Sequence, residues 1–298
     1  FAGDGCLMEG LSHEACSLAG HLKLNKLIMF FDDNSISIDG ETDLSTSDDI
    51  KKRFESYNWN YIKVDGHKFD EIDKAIHNAK NSLKPTIVGC KTTIGYGSPN
   101  KSGKASSHGS PLGDDEIKLV RQKLNWEYEP FEIPSKFLNA WREFHIRNTN
   151  TKNEWNTINT NVLKSNNYKN YFLNTKNDNL FQDIINFKSL HFKEKTVCAT
   201  RKASELSLNL ISNNIENLLG GSADLTGSNN TKAKDMKIIT SDDFNGNYIH
   251  YGIREHAMAG IMNGIALHGG LIPYGGTFLV FSDYCRPSIR LSALMNIP

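Results

Sequence analysis

The sequence has no surplus of either charge: 34 lysines and arginines stand against 34 aspartates and glutamates. A chain of zero net charge has no global field to draw it to nucleic acid or to an anionic membrane. Any anion site must be local. Cysteine is scarce. The five present, Cys6, Cys16, Cys90, Cys198 and Cys285, are odd in number, and none pairs at C-x-x-C spacing. This argues against a disulfide framework or a zinc cluster and makes a reducing, cytoplasmic compartment the expectation. No signal peptide opens the chain. Its first residues, Phe1-Ala2-Gly3-Asp4-Gly5, read as the end of a buried strand, where few natural chains start, so a central fragment is expected. Long hydrophobic runs are also missing. The most apolar tract, 257–281, is broken by Asn263, His268, Pro273 and several glycines. It makes a poor bilayer span and a good buried core.

What is present is a chain of 298 residues, 38% of them hydrophobic, enough for one large domain or two smaller ones. Strand and helix patterns alternate along it. Residues 1–5 predict a strand end and a tight turn, and 9–24 a helix with Leu11, Ala15, Leu18, Ala19 and Leu22 on one face. Strands are expected over 27–31, 61–64 and 86–91, and helices over 48–57, 69–82 and 114–124. The stretch 95–115 is rich in glycine, serine and proline, and reads as a long loop around His108. A second alternation begins at Thr196. It has helices over 201–212 and 257–267, strands over 217–221 and 248–252, and a further helix carrying Phe278, Phe281 and Tyr284. The pattern stops in mid-domain. Such alternation implies an α/β fold with parallel sheets and helices on both faces. Three segments follow: a domain over 1–135, a polar, Asn-rich connection with some helix over 136–195, and a second, truncated domain over 196–298.

One constellation carries chemistry. Gly3-Asp4-Gly5 puts a carboxylate at a strand end, and Asp32-Asp33-Asn34 puts oxygen ligands at the next. Neighbouring strand ends of an open α/β sheet share one crevice. Mg²⁺ takes a few protein oxygens and completes its octahedron with phosphate and water. Asp4, the Asn34 amide oxygen and the Ile36 main-chain carbonyl suit it. Gly5 would let phosphate oxygens approach the backbone, and the helix start at Glu9 offers N–H groups. A dinucleotide-binding turn is the rival reading. Its G-x-G-x-x-G spacing is absent here, and an Asp between the first two glycines would repel pyrophosphate. An Asp-Gly turn with no ligand is the bland one, which the second strand end makes the lesser.

These residues resemble the thiamine diphosphate signature, with Asp33-Asn34 where many such enzymes have two asparagines. The runs GDGCLMEG at 3–10, LAGHL at 18–22, TIGYG at 93–97 and SHGSPL at 107–112 are similar to the transketolase family. So are ATRK at 199–202, GSADLTGSN at 221–229, YGIREH at 251–256 and YGGTF at 274–278, all in family order. Met8, Val280 and Asp283 sit at positions expected to vary.

The resemblance implies two related thiamine diphosphate-binding domains, the first for the diphosphate and metal, the second for the pyrimidine. It implies a homodimer with the cofactor at the subunit interface, and Mg²⁺ or Ca²⁺ as the metal. The implied reaction moves a two-carbon ketol unit from a ketose phosphate to an aldose phosphate, as in the pentose phosphate pathway. Glu255 would bond the pyrimidine ring and tune its proton transfer; the bland reading is a helix-start charge beside Arg254. Glu9 would be its carboxylate neighbour across the interface, or merely a first-turn helix acid. Phe278, Phe281 and Tyr284 would form the aromatic wall, where core packing is the usual meaning of such a stripe. His108 would face the diphosphate and the sugar hydroxyls and help move protons. Arg201 and Ser228 would hold a substrate phosphate, although an exposed Arg is usually only solvated, and Asp224 would face the cofactor. Two alternatives remain at this stage: a dihydroxyacetone synthase with the same motifs, and a non-catalytic scaffold that keeps the fold.

Overall fold

A computed structural model describes residues 1–165 and 178–298. The chain divides into two compact units, Phe1–Asn159 and Thr160–Pro298.

The first unit is built on four parallel strands: β1 (Ala2–Gly3), β2 (Ile28–Asp33), β3 (Asn60–Asp65) and β4 (Thr86–Lys91), in the order β1-β2-β4-β3. Register aligns Gly3 with Asp32, Asp32 with Cys90, and Cys90 with Val64. The carboxyl ends of all four strands therefore meet one edge. Side chains alternate across a strand with period two. Phe31 and Ile87 enter one cluster with Leu7, Cys16, Ala19, Phe54 and Trp59. Val88 and Cys90 enter the other, with Val64 and Ala75. This is why β4 reads as an unbroken apolar run: both of its faces are covered.

Helices flank the sheet: α1 (Asp4–Met8), α2 (Gly10–His21), α3 (Ile50–Ser56), α4 (Phe69–Lys80) and α5 (Asp114–Lys123). The helix expected over 9–24 is α2, and a further short helix, α1, stands before it where a tight turn was expected. Glu9 is extended, at φ −61° and ψ 135°, and breaks α1 from α2. Glycines at 5 and 10 flank the break and hold helix weakly. Gly20 permits a close approach, because a Cβ there would stand 1.7 Å from the Tyr57 carbonyl oxygen. Gly20→Ala is expected to cost about 1–3 kcal/mol by overpacking. Guanidinium denaturation reads it, and an unchanged midpoint would show that the contact relaxes freely.

The connection expected over 136–195, with some helix, carries α6 (Ser135–Ile158), α7 (Thr160–Lys164) and α8 (Asp178–Lys193). Residues 166–177 lie outside the described residues. No residue of α6 is buried, so the helix has no core-facing stripe for periodicity to reveal.

In the second unit, β5 (Leu218–Ser222) lies between β6 (Tyr248–His250) and β7 (Ile272–Pro273), all parallel. Around them run α9 (Thr200–Asn214), α10 (Thr226–Asn229), α11 (Glu255–His268) and α12 (Ser282–Met295). Every residue of β5 is buried. A Cβ on Gly220 would meet the Tyr274 ring at 2.3 Å, and one on Gly221 the Tyr251 ring at 2.1 Å. Two aromatic rings thus pack directly on the strand. Among the described residues no helix is long and apolar enough to cross a membrane.

Candidate functional site

At the carboxyl edge of the first sheet, Asp4 opens α1, with Gly3 as the extended residue before it. Its Oδ2 is buried and has no hydrogen-bond partner. Burial first, then the charges of Asp33 and Asp32, raise its pKa above the ordinary carboxylate value. Asn34 is fixed by two bonds. Its Nδ2 donates to Asp32 Oδ2 at 3.0 Å, and its Oδ1 accepts the Ile36 N–H at 2.9 Å. That oxygen keeps a second lone pair for a ligand. Thr92 Oγ1 donates to Asp32 Oδ1. Lys91 Nζ bonds Asp33 Oδ1 at 3.1 Å and Ser35 Oγ at 2.6 Å. Ile36 is buried beside a small turn, closed by Ser37 N–H to the Gly40 carbonyl at 2.8 Å.

These residues fit a divalent cation. A buried, partnerless carboxylate oxygen among like charges is what such an ion satisfies. No group of three His, Cys, Asp or Glu side chains suited to a metal occurs among the described residues. This edge offers such an ion a carboxylate oxygen of Asp4 and the amide oxygen of Asn34. Cβ atoms on Gly3, Gly5 and Gly10 would meet nothing within 4 Å. The backbone is open to a ligand there.

Beside Asp4 lies a cavity of about 380 Å³, lined in part by Leu7, Phe31, Asp33, Arg53 and Tyr61. Arg53 ties α1 to α3. Its Nη2 donates to the Leu7 carbonyl at 2.9 Å, and its Nη1 lies 3.3 Å from His13 Nε2. Glu9 is exposed in the break after α1.

His108 is exposed and ends a short 3₁₀ turn, Ala105–Ser107. The loop that carries it is anchored on Glu116 of α5, which is 8% exposed. Ser98 Oγ and the Asn100 N–H donate to Glu116 Oε1, and Asn100 Nδ2 donates to Oε2 at 2.8 Å. The Ser98 hydroxyl, then the two Asn100 donors, hold this carboxyl at about 2, against an ordinary 4.5. The folded value lies below the unfolded one. The stabilisation is therefore present above pH 4.5 and is lost as pH falls toward 2.

The remaining candidates belong to the second unit. Glu255 is the first residue of α11 and is 8% exposed. Its charge adds to burial in raising the pKa of the buried Cys285 thiol. The neighbouring Arg254 sends Nη1 to the Tyr251 carbonyl at 2.9 Å. Phe278, Phe281 and Tyr284 do not share one α-helix as expected. Phe278 precedes a 3₁₀ turn, Leu279–Phe281, and α12 begins after it. Three residues per turn bring i and i+3 into line. The rings stack at 5.9 Å and 6.1 Å, with interplanar angles of 21° and 24°. Thr277 Oγ1, next to Phe278, is buried without a partner. Asp224 follows β5 in the left-handed region, at φ 58°, a strained conformation for a residue with a Cβ. Ser228 lies in α10 and Arg201 in the first turn of α9, both exposed.

Four polar residues of the site escaped the sequence reading: Arg53, Lys91, Thr92 and Glu116. Lys91 and Thr92 had a signal, since they end the apolar run 86–90 just as Asp32 and Asp33 end theirs. Arg53 and Glu116 read as ordinary helix-surface charges.

Comparisons with known proteins agree with this geometry. The family described as "Transketolase, thiamine diphosphate binding domain" matches residues 1–179, and "Transketolase, pyrimidine binding domain" matches 196–298. A curated transketolase of Cereibacter sphaeroides is 48% identical over 100% of this chain and 45% of its own length. One of Sinorhizobium medicae is 47% identical over 100% of this chain and 43% of its own. The chain thus spans under half the length of these relatives. Among solved structures, a Pichia stipitis transketolase in complex with sedoheptulose 7-phosphate has a TM-score of 0.85 at 38% identity. That match covers 99% of this chain and 45% of the other. Leishmania mexicana transketolase has a TM-score of 0.87 at 33% identity, over 98% of this chain and 44% of its own. With both family descriptions matched in order, and the strand-end carboxylate and amide at the edge of its first sheet, this chain belongs to the transketolase family.

Proposed function

We propose that this chain supplies the diphosphate and pyrimidine parts of a thiamine diphosphate-dependent transketolase, which moves a two-carbon ketol unit from a ketose phosphate to an aldose phosphate. The observation that carries the reading is the buried Oδ2 of Asp4, partnerless at the carboxyl edge of a parallel sheet. Residues 1–135 form the diphosphate part, 136–195 the connection and 196–298 the pyrimidine part. The enzyme acts as a homodimer. Sugar phosphate substrates are supported by the relative solved with sedoheptulose 7-phosphate.

When bound, thiamine diphosphate supplies a carbon nucleophile for the ketol unit. Asp4, Asn34 Oδ1 and the Ile36 carbonyl hold Mg²⁺ or Ca²⁺, and Gly5 leaves room for the diphosphate. The Glu255 carboxyl hydrogen-bonds the pyrimidine ring, with Glu9 as its carboxylate neighbour from the other subunit. Phe278, Phe281 and Tyr284 give the ring a flat wall and exclude water, and Asp224 faces it. His108 moves protons at the sugar hydroxyls. Titration with thiamine diphosphate, with and without Mg²⁺, tests the cofactor. A coupled assay with a ketose phosphate and an aldose phosphate tests the transfer. Metal-independent binding, or no transfer by the complete enzyme, would sink the reading.

Arg201 and Ser228 bind the substrate phosphate. A guanidinium forks onto phosphate oxygens, and the helix N-terminus beside Arg201 adds N–H groups. Arg201→Ala is expected to raise KM for phosphorylated donors roughly 10- to 10²-fold, with kcat little changed. An unphosphorylated donor should be almost unaffected. Equal losses for both donors would make Arg201 structural.

A further inference from the structure

Glu116 has no part in the chemistry above, yet its surroundings are elaborate. Its helix neighbours Asp114 and Asp115 are exposed, as first-turn acids usually are. Glu116 is buried and takes three donors, all from one loop. The bonds continue beyond it. Ser98 Oγ accepts the Lys101 N–H at 3.0 Å. The Lys101 carbonyl accepts the Ser107 hydroxyl at 2.5 Å, and Lys101 Nζ reaches the Leu112 carbonyl at 2.8 Å. Ser107 immediately precedes His108. On the near side, Gly103 N–H bonds the Ile94 carbonyl at 2.8 Å. Gly95 has φ +62°, and a Cβ on it would stand 2.8 Å from Ser107 Oγ.

We propose that Glu116 is a positioning residue for His108. It ties the loop to α5 through Ser98 and Asn100, and through Lys101 and Ser107 it sets where the imidazole stands. The inference rests on the reading of His108 as a substrate-facing group. A long loop rich in glycine and serine is otherwise free to wander, and ordering its side chains costs entropy at each turnover. A buried carboxylate with charge-assisted bonds removes that freedom before substrate arrives. The depressed pKa of Glu116, to which the Lys101 charge also contributes, accords with a carboxylate that stays ionised in this role.

The test uses Glu116→Gln in the complete enzyme. Gln keeps the shape but turns one acceptor oxygen into an amide donor. Ser98→Ala attacks the same link from the loop side and serves if the Gln variant folds poorly. The ring signal of His108 in ¹³C–¹H NMR, and deuterium exchange of the Asn100 and Lys101 amides, read the loop directly. Both variants should move the His108 signal and speed that exchange about tenfold or more. They should lower kcat/KM by on the order of 10- to 10²-fold. In a His108→Ala background, Glu116→Gln should add almost nothing to the loss. An unmoved His108 signal, or additive losses, overturns the proposal. Failure of the wild type to bind thiamine diphosphate would overturn the functional reading instead, and the His108 signal would still decide the anchoring.

Discussion

Asp4→Ala is expected to abolish metal-dependent binding of thiamine diphosphate while leaving the chain folded. Even partners outside a metal's own ligands are worth 10- to 100-fold in affinity. Loss of a carboxylate proposed as a direct ligand should therefore cost more than about 10²-fold. The stability effect has the opposite sign to the usual mutation. The folded pKa of Asp4 is raised by burial and by Asp33 and Asp32. An acid with a raised folded pKa favours the fold below its unfolded pKa, and that contribution is lost as pH rises through the folded value. At neutral pH the ionised Asp4 thus opposes folding until a cation arrives. Without cofactor and metal, Tm of the Ala variant should equal or exceed that of the wild type. Adding thiamine diphosphate and Mg²⁺ should raise Tm of the wild type alone, because a ligand stabilises only the state it binds. Calorimetry with an unchanged cofactor affinity in the variant would remove Asp4 from the site.

Glu255→Gln should lower kcat by roughly 10²–10⁴-fold, the usual worth of general acid–base help. Glu255 is held by the start of α11 and by burial, so Gln can occupy its place without repacking. Gln forms hydrogen bonds but cannot exchange a proton with the pyrimidine ring. Cofactor affinity should change far less, since the residues proposed to hold metal and diphosphate lie in the first unit. Exchange of the thiazolium C2 proton, followed by NMR on the bound cofactor, separates these effects before any sugar is added. Exchange at the wild-type rate would leave Glu255 as a helix-start carboxylate and nothing more.

The parts of the fold legible in the sequence were those with two-sided burial or a clean stripe. The run 86–91 was read to the residue, because β4 is covered on both faces. The helix over 69–82 was read to within two residues of α4. Over 136–195 the helix bounds are not legible, because α6 buries nothing and a helix without a buried face leaves no period in the sequence. β7 escaped notice because it is two residues long and one is Pro273. Its bonds to β5 come from Ile272 and Tyr274, whose N–H groups reach the Asn217 and Leu219 carbonyls. The spacing of Phe278, Phe281 and Tyr284 was seen, but three residues per step fits a 3₁₀ turn better than an α-helix. As for the proposed site, Asp4 and Asn34 stand out in the sequence because strand ends in parallel sheets face one crevice. Glu116 does not, because a carboxylate that serves a loop has no motif of its own.

The order of strands in the second unit sets a timetable for the ribosome. β5 is the middle strand, yet both of its neighbours come later in the chain. The last of its partners, Gly276, accepts the Ser222 hydroxyl from 54 residues downstream. At about 5–20 residues per second, synthesis of that stretch takes roughly 3 to 10 s. β6 and the Tyr251 ring that covers Gly221 are made about halfway through that interval, whereas Ile272 and Pro273, the partners of Leu218 and Leu219, and the Tyr274 ring that covers Gly220 come only near its end. β5, buried along its whole length, thus waits for the rest of its sheet until the end of that stretch.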